Sequence, residues 1–317
     1  MINNVIRSAT RDHLKTKMRC LTFCRENEKF ISLLSKCNCE VYIVPKQGFS
    51  DWKPAIAGIP ENIFPLRHES LISMIPYVDC VIVNDRLQEW DMGLAISQSL
   101  HVPMLVVDHV SRNCIQKLPL NGSVTVDEPL ELRNGDLNVA LSDEIRESWQ
   151  SNAHGISITI PPYLQKQESQ QKKNSIVVDN NLPAEVLSFI DNALKGIDVV
   201  SRFPESNLKN IKRAKIYINT WNNIDLKTLE AMQLGSIVIS CAAEETKKVI
   251  KHEINGLLFS DMSEIPQLVN SCLQGKYDNI PEEAKQTALD LLSNEDSFVK
   301  KWNQVLSYIS ESFFVRN

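Results

Sequence analysis

Short apolar runs rich in β-branched residues alternate with helix-like stretches along nearly the whole chain. That alternation favours parallel strands with helices on the sheet faces. In the first half, strands are predicted at Cys20–Cys24, Glu40–Pro45, Asp79–Asn84, Met104–His109, Leu137–Leu141 and Ile156–Ile160. Helices are predicted over Glu28–Cys37, with Phe30, Ile31, Leu33 and Leu34 on one stripe, around Trp90–Ser99, and over Asp143–Gln150 with Ser142 as its cap. Pro161 and Pro162 then stop the pattern. It restarts with strands at Ser175–Asp179, Ile197–Ser201, Lys215–Asn219 and Ser236–Ser240 and helices over Ala184–Leu194, Leu208–Arg213 and Leu226–Leu234, the last closed by Gly235. From Pro281 to Phe313 the chain reads as mostly helical.

Between the halves, Gln165–Asn174 contains no apolar residue, so nothing there can join a core. With 317 residues, enough for two cores, the chain is divided at that stretch into a lobe of residues 1–168 and a lobe of residues 169–317, the last helices packing back on the first. Two such doubly wound lobes leave a cleft at the carboxyl ends of their strands, where ligands bind in open parallel sheets.

Composition narrows the function classes. At 43% hydrophobic and 23% charged residues the chain is an ordinary globular protein. A formal charge of -5 argues against a whole surface built to grip phosphate backbone. Arg7, Arg11, Lys15, Lys17 and Arg19 give the first segment a local basic bias, read either as a contact for a polyanion or as a solvated tail. No run reaches the roughly 18 apolar residues of a membrane span, and the first 19 residues carry no secretory pattern, so a cytoplasmic location is expected. The eight cysteines (Cys20, Cys24, Cys37, Cys39, Cys80, Cys114, Cys241 and Cys272) then stay reduced as small, mostly buried hydrophobes. Cys37 and Cys39 lack the second Cys or His pair of a zinc site, and no metal site is expected.

The densest signal is Ala214–Phe259: a strand, a loop, the helix containing Leu229, Glu230, Ala231 and Met232, Gly235, an apolar strand, and Asn255–Gly256–Leu257–Leu258. It resembles the donor-binding half of retaining glycosyltransferases of the GT-B fold, the group that includes glycogen synthases and many mannosyl- and glucosyltransferases. The resemblance implies an α/β, GT-B architecture of two Rossmann-like lobes facing a central cleft. It also implies that Glu230 holds the ribose hydroxyls of a nucleotide-sugar donor, with a helical glutamate facing solvent as the alternative. The segment Asn223, Ile224, Asp225, Leu226, Lys227 and Thr228 would then cradle the diphosphate at a helix front, where unsatisfied amides favour anions. Lys227 is either a phosphate partner or a solvent-facing helical lysine. The family's sugar-contacting glutamate is replaced by Asn222, which offers a donor and an acceptor but no charge. Its diphosphate-neutralising arginine and lysine are absent from the loop Asp179, Asn180, Asn181, and Arg202 is the other basic residue nearby in sequence.

In the first half, Val102–His109 resembles the family strand that ends in a histidine at the active-site cleft, which makes His109 the second catalytic candidate beside Asn222, with a satisfied structural histidine as the alternative. Val139–Leu164 resembles the last part of the acceptor lobe. The block with Thr22–Phe23–Cys24 and Trp52 to Asn62 is similar to uncharacterised bacteriophage glycosyltransferase-like proteins. The implied activity is transfer of a sugar from a nucleotide-sugar donor, a UDP-sugar first, to an acceptor hydroxyl with retention. It needs no cofactor beyond that co-substrate and no metal ion. Hydroxymethylated pyrimidine in phage DNA, surface saccharides, lipids and small molecules all stay open as acceptors. A non-catalytic GT-B-like protein that binds a nucleotide or glycan, and a nucleotide-sugar epimerase, are the alternative readings.

Overall fold

The computed structural model describes residues 17–24, 27–44, 52, 58–67, 77–87, 89–112, 133–150, 156–164, 172–178, 188, 192, 199–201 and 208–316. The expectations for Arg7, Arg11, Lys15, Cys114, Asp179, Asn180, Asn181 and Arg202, and nearly all of those for Ala184–Leu194, lie outside these residues. The chain divides into two compact units, one of the described residues through Pro161 plus the segment from Glu295, the other Pro162–Asn294.

In chain order the first unit contains β1 (Met18–Phe23), α1 (Glu28–Leu33), β2 (Cys39–Val44), β3 (Ile63–Pro65), β4 (Cys80–Val83), α2 (Trp90–Leu100), β5 (Met104–Asp108), β6 (Leu137–Ala140), α3 (Asp143–Gln150) and β7 (Ile156–Thr159). Its sheet runs β3-β2-β1-β4-β5-β6-β7, parallel throughout. The chain moves outward from β1 to β3 and returns to lay β4 against β1, so the order reverses between those two strands. One face of the sheet buries Leu21, Phe23, Val81, Val83, Met104 and Val106 with Trp90 of α2.

The second unit contains β8 (Lys173–Val178), β9 (Val199–Ser201), α4 (Leu208–Arg213), β10 (Ala214–Asn219), α5 (Leu226–Gln233), β11 (Ile237–Cys241), α6 (Glu244–Val249), β12 (Leu257–Phe259), α7 (Ile265–Leu273) and α8 (Ile280–Leu291). Its parallel sheet runs β12-β11-β10-β8-β9 and reverses between β8 and β10. The period of two is plain along β10. Ile216 and Ile218 face α7 residues Ile265 and Val269, whereas Tyr217 faces Leu229 and Met232 of α5 and Ala284 of α8. Gly235 adopts φ +75 and turns the chain from α5 into β11. The final helix α9 (Glu295–Arg316) belongs to the first unit, where Trp302 lies 6.0 Å from Phe30 of α1 and Asn303 Oδ1 accepts from the Asn38 amide at 2.7 Å.

Several boundaries differ from the sequence reading. The α-helical part of Glu28–Cys37 ends at Leu33 and tightens into a 3-10 turn over Leu34–Lys36, and Cys37 is already extended. β8 starts at Lys173, within the apolar-free stretch, because the ladder to Ala214 is made by backbone groups and needs no apolar side chain. β3, β12, α6 and α7 are further elements that the sequence pattern did not single out. The seven described cysteines form no disulfide, and all but the half-buried Cys241 are buried. No helix among the described residues is long and apolar enough to cross a membrane.

The first unit also holds an ion pair. The Arg86 guanidinium bonds both oxygens of Asp108 at 2.6 and 2.7 Å, donates to the Arg133 carbonyl at 2.7 Å, and stacks 4.3 Å from the Trp149 ring. Burial pushes the Asp108 carboxyl up, and Arg86 draws it back toward the ionised form. A pair this enclosed is costly to break from one side, because the remaining charge stays buried without its partner. Asp108→Leu should therefore lower stability by about 3–5 kcal/mol in urea unfolding, and the double change Arg86→Met/Asp108→Leu by less. Breaking the exposed Lys248–Glu245 pair (Lys248 side chain 52% exposed) by Lys248→Ala should cost no more than about 0.5 kcal/mol.

Candidate functional site

In both sheets, polar side chains gather at the carboxyl ends of the strands where the order reverses, the position at which open parallel sheets leave room for a ligand. In the second unit the cluster begins with Asn219, the last residue of β10, which is fully buried. Its Nδ2 donates to the Asn223 carbonyl at 2.8 Å and to Ser240 Oγ at 3.1 Å, and its Oδ1 accepts from the Trp221 amide at 3.1 Å. A buried amide left unbonded would cost about 1–3 kcal/mol; here it is satisfied by tying the loop Trp221–Asn223 across the ends of β10 and β11. Cys241 adds a shared contact, its single Sγ–H lying between the Trp221 carbonyl at 2.9 Å and Asn222 Oδ1 at 3.3 Å. Asn222 is thus held through its carboxamide oxygen.

The loop leads into α5. Asp225 is the N-cap, in extended conformation with ψ 176, and its Oδ1 accepts from the Thr228 amide at 2.8 Å and from Thr228 Oγ1 at 2.7 Å. One front amide is therefore met by the chain's own carboxylate, which also brings a negative charge to the end of the helix that attracts anions. Ile224 packs on the core beneath, and Asn223, Leu226 and Lys227 are half-buried. Glu230 is buried on the second turn, 3% exposed, which excludes the alternative of a solvent-facing helical glutamate. The structure thus brings Asn222, Asn223, Ile224, Asp225, Leu226, Lys227, Thr228 and Glu230 together at one helix front.

In the first unit, His109 follows β5 directly, between two fixed points: Asp108 in the buried ion pair, and Val110, whose carbonyl accepts from Trp149 Nε1 at 3.0 Å. Its Nε2 lies 3.3 Å from Asn84 Oδ1, and Phe30 meets the ring edge-on at a centroid distance of 4.7 Å. Asn84 stands just beyond β4, and its Nδ2 donates to Thr22 Oγ1 on β1 at 2.9 Å. Thr22, Asn84 and His109 thus span the ends of β1, β4 and β5, adjoining the reversal point. Loss of water lowers the His109 pKa from 6.5 to about 4, so the imidazole is neutral at physiological pH.

The sequence pattern singled out His109 and the α5 front as candidates but not Asn219, Ser240, Cys241 and Asn84, which hold them. One signal was available: Asn219 and Asn84 are each the first polar residue after a run of apolar strand residues. Among the described residues, no group of three or more His, Cys, Asp or Glu side chains is arranged to hold a metal ion.

Two outcomes follow from this geometry. The unfolded chain binds a proton on His109 below pH 6.5 that the folded chain refuses until about pH 4. This contribution to stability is complete above pH 6.5 and falls as the pH drops toward 4, by about 2 kcal/mol with allowance for the residue's partial exposure. His109→Gln should flatten that slope in urea unfolding across the window. At the helix front, Asp225→Ala should cost about 1 kcal/mol and Asp225→Asn far less, because asparagine caps equally well.

The sequence matches no protein-family model and no curated protein. Solved structures match along nearly the whole chain. Anabaena HepE in complex with UDP-glucose is 14% identical, with 93% of this chain and 100% of that chain covered at a TM-score of 0.62. Sucrose-phosphate synthase from Thermosynechococcus elongatus is 11% identical over 93% of this chain and 100% of that chain, at 0.60. Arabidopsis thaliana UGT89C1 complexed with UDP-L-rhamnose is 10% identical over the same shares, also at 0.60. At these identities the likeness establishes the fold. The chain is an α/β protein with the GT-B fold.

Proposed function

We propose that the protein is a glycosyltransferase that moves a sugar from a nucleotide-sugar donor to an acceptor hydroxyl. The observation that carries this reading is the buried carboxylate of Glu230 on the second turn of α5, behind a loop tied to the strand ends of a GT-B fold. A buried carboxylate that accepts hydrogen bonds suits the paired hydroxyls of a ribose. UDP-sugars are the first donors to test, since similar solved structures hold UDP-glucose and UDP-L-rhamnose.

In this reading Glu230 fixes the ribose, and the front of α5 with Lys227 meets the diphosphate. Asn223 belongs to the diphosphate cradle, Asn222 hydrogen-bonds a sugar hydroxyl, and His109 takes a hydroxyl of a bound saccharide. The bond from the anomeric carbon to the terminal phosphate oxygen breaks, a bond to the acceptor oxygen forms, and the acceptor's proton leaves with the nucleoside diphosphate or to water. The proposed outcome is retention at that carbon. Catalysis is assigned to alignment and to stabilisation of the departing diphosphate, with no cofactor in the step. Hydroxymethylated pyrimidine in duplex DNA joins the acceptor panel on the sequence resemblance of the N-terminal block alone, beside saccharides, lipids and small molecules. The compartment proposed is the cytoplasm.

A second reading, a non-catalytic protein that binds a nucleotide or glycan, is favoured by Asn222, a neutral residue at the sugar-contact position whose Oδ1 is engaged by Cys241. Turnover separates the two. Release of UDP from a UDP-sugar, faster with a competent acceptor, is expected of the wild-type protein, with Glu230→Gln raising the donor KM about tenfold or more, the equivalent of one charge-assisted hydrogen bond or more. Binding without release across the donor and acceptor panel supports the second reading. Asp225→Asn keeps the cap but removes the negative charge, so UDP affinity measured by calorimetry should rise several-fold, most clearly at low salt.

A further inference from the structure

The contacts around His109 form a chain of hydrogen bonds whose direction can be worked out from its fixed end. The Ile82 carbonyl can only accept, so Thr22, 2.9 Å away, donates its hydroxyl proton there. Thr22 Oγ1 is then an acceptor, and the group facing it from Asn84 at 2.9 Å must be the amide NH2. The Phe23 carbonyl, 3.4 Å from the same nitrogen, adds a weaker contact in favour of this orientation, because a flipped Asn84 would set its own oxygen against two acceptors. Asn84 Oδ1 therefore points at His109 Nε2, 3.3 Å away, and a bond between them requires the proton to be on Nε2. Asn84 is in turn held through its backbone, whose amide donates to Glu89 Oε2 at 2.8 Å.

We infer that Thr22 and Asn84 are positioning residues that fix His109 as the Nε2–H tautomer, leaving Nδ1 as a lone-pair acceptor for a substrate hydroxyl. The inference rests on the reading of His109 as a saccharide contact, and it names the accepting atom. The ring plane is set by the edge-on contact with Phe30, which Trp302 of α9 backs at 6.0 Å. The buried charged groups on the neighbouring segments include Glu28 at the start of α1, Glu89 ahead of α2 and the Arg86–Asp108 pair, in which the two charges meet each other; Lys29 on α1 and Lys300 and Lys301 on α9 are further charged residues of the elements packed there. A ring kept neutral and singly protonated offers one donor and one acceptor. With the donor directed at Asn84, a ligand that needs a donor from His109 is disfavoured, and one that brings a hydroxyl proton is matched.

The test uses the full-length protein with 15N-labelled histidine and long-range 1H–15N correlation at neutral pH, the His109 signals being assigned by their loss in His109→Gln. The wild-type protein and Thr22→Ser, which keeps the hydroxyl, should show His109 as the Nε2–H form. Thr22→Val and Asn84→Leu, with folding checked by circular dichroism, should show a mixture with the Nδ1–H form. For these two variants kcat/KM for glycosyl transfer should fall about tenfold, the effect of one misdirected neutral hydrogen bond, and Thr22→Ser should recover most of it. A wild-type His109 protonated on Nδ1, or a tautomer unmoved in both variants, overturns the inference. If the tautomer behaves as described but no nucleotide sugar is ever turned over, the relay stands and the glycosyltransferase reading falls.

Discussion

A strand in a parallel sheet ends with its backbone polar groups at the sheet's carboxyl edge, and whatever is buried there must be bonded. This protein meets the requirement with side chains that then hold other residues in place. Asn219 closes β10, binds the following loop through two hydrogen bonds and reaches Ser240 on β11 through a third. Thr22 and Asn84 join the ends of β1 and β4, and Asn84 faces His109. The proposed donor and saccharide contacts thus depend on buried polar residues that are satisfied first and positioning second. Such networks are rigid when complete and costly when broken, which suits residues meant to present a fixed geometry to a ligand.

The front of α5 shows a second consequence of local chemistry. A short helix needs its N-terminal amides satisfied, and Asp225 supplies a carboxylate for one of them. The same charge lowers the local potential that would otherwise draw a diphosphate, so helix stability and anion affinity act against each other at one residue. Lys227 is the basic residue in that first turn.

How much was legible in the sequence follows from which signals are local. The β10–α5–β11 unit was readable because its apolar strands, the helix between them and Gly235 each leave a mark on neighbouring residues, whereas the capping role of Asp225 showed only in its contacts. β3 and β12 were missed because three-residue strands are too short to show an alternation, although pairing with β2 and β11 fixes them in the sheets. The buried Arg86–Asp108 pair was invisible for a different reason. Its partners are on separate strand ends and reveal themselves only by contact, as does the Thr22–Asn84–His109 relay, whose members span 87 positions of sequence, from 22 to 109. Glu230 was legible as a candidate through the residues around it, whereas its burial needed the core formed by β10, α5 and α8.

The most direct test of this account is a crystal structure of the protein with UDP bound. The account places the ribose hydroxyls within hydrogen-bonding distance of the Glu230 carboxylate, with the phosphates against the Asp225–Thr228 turn. A uridine seated anywhere else, with Glu230 turned away from the sugar ring, would contradict it.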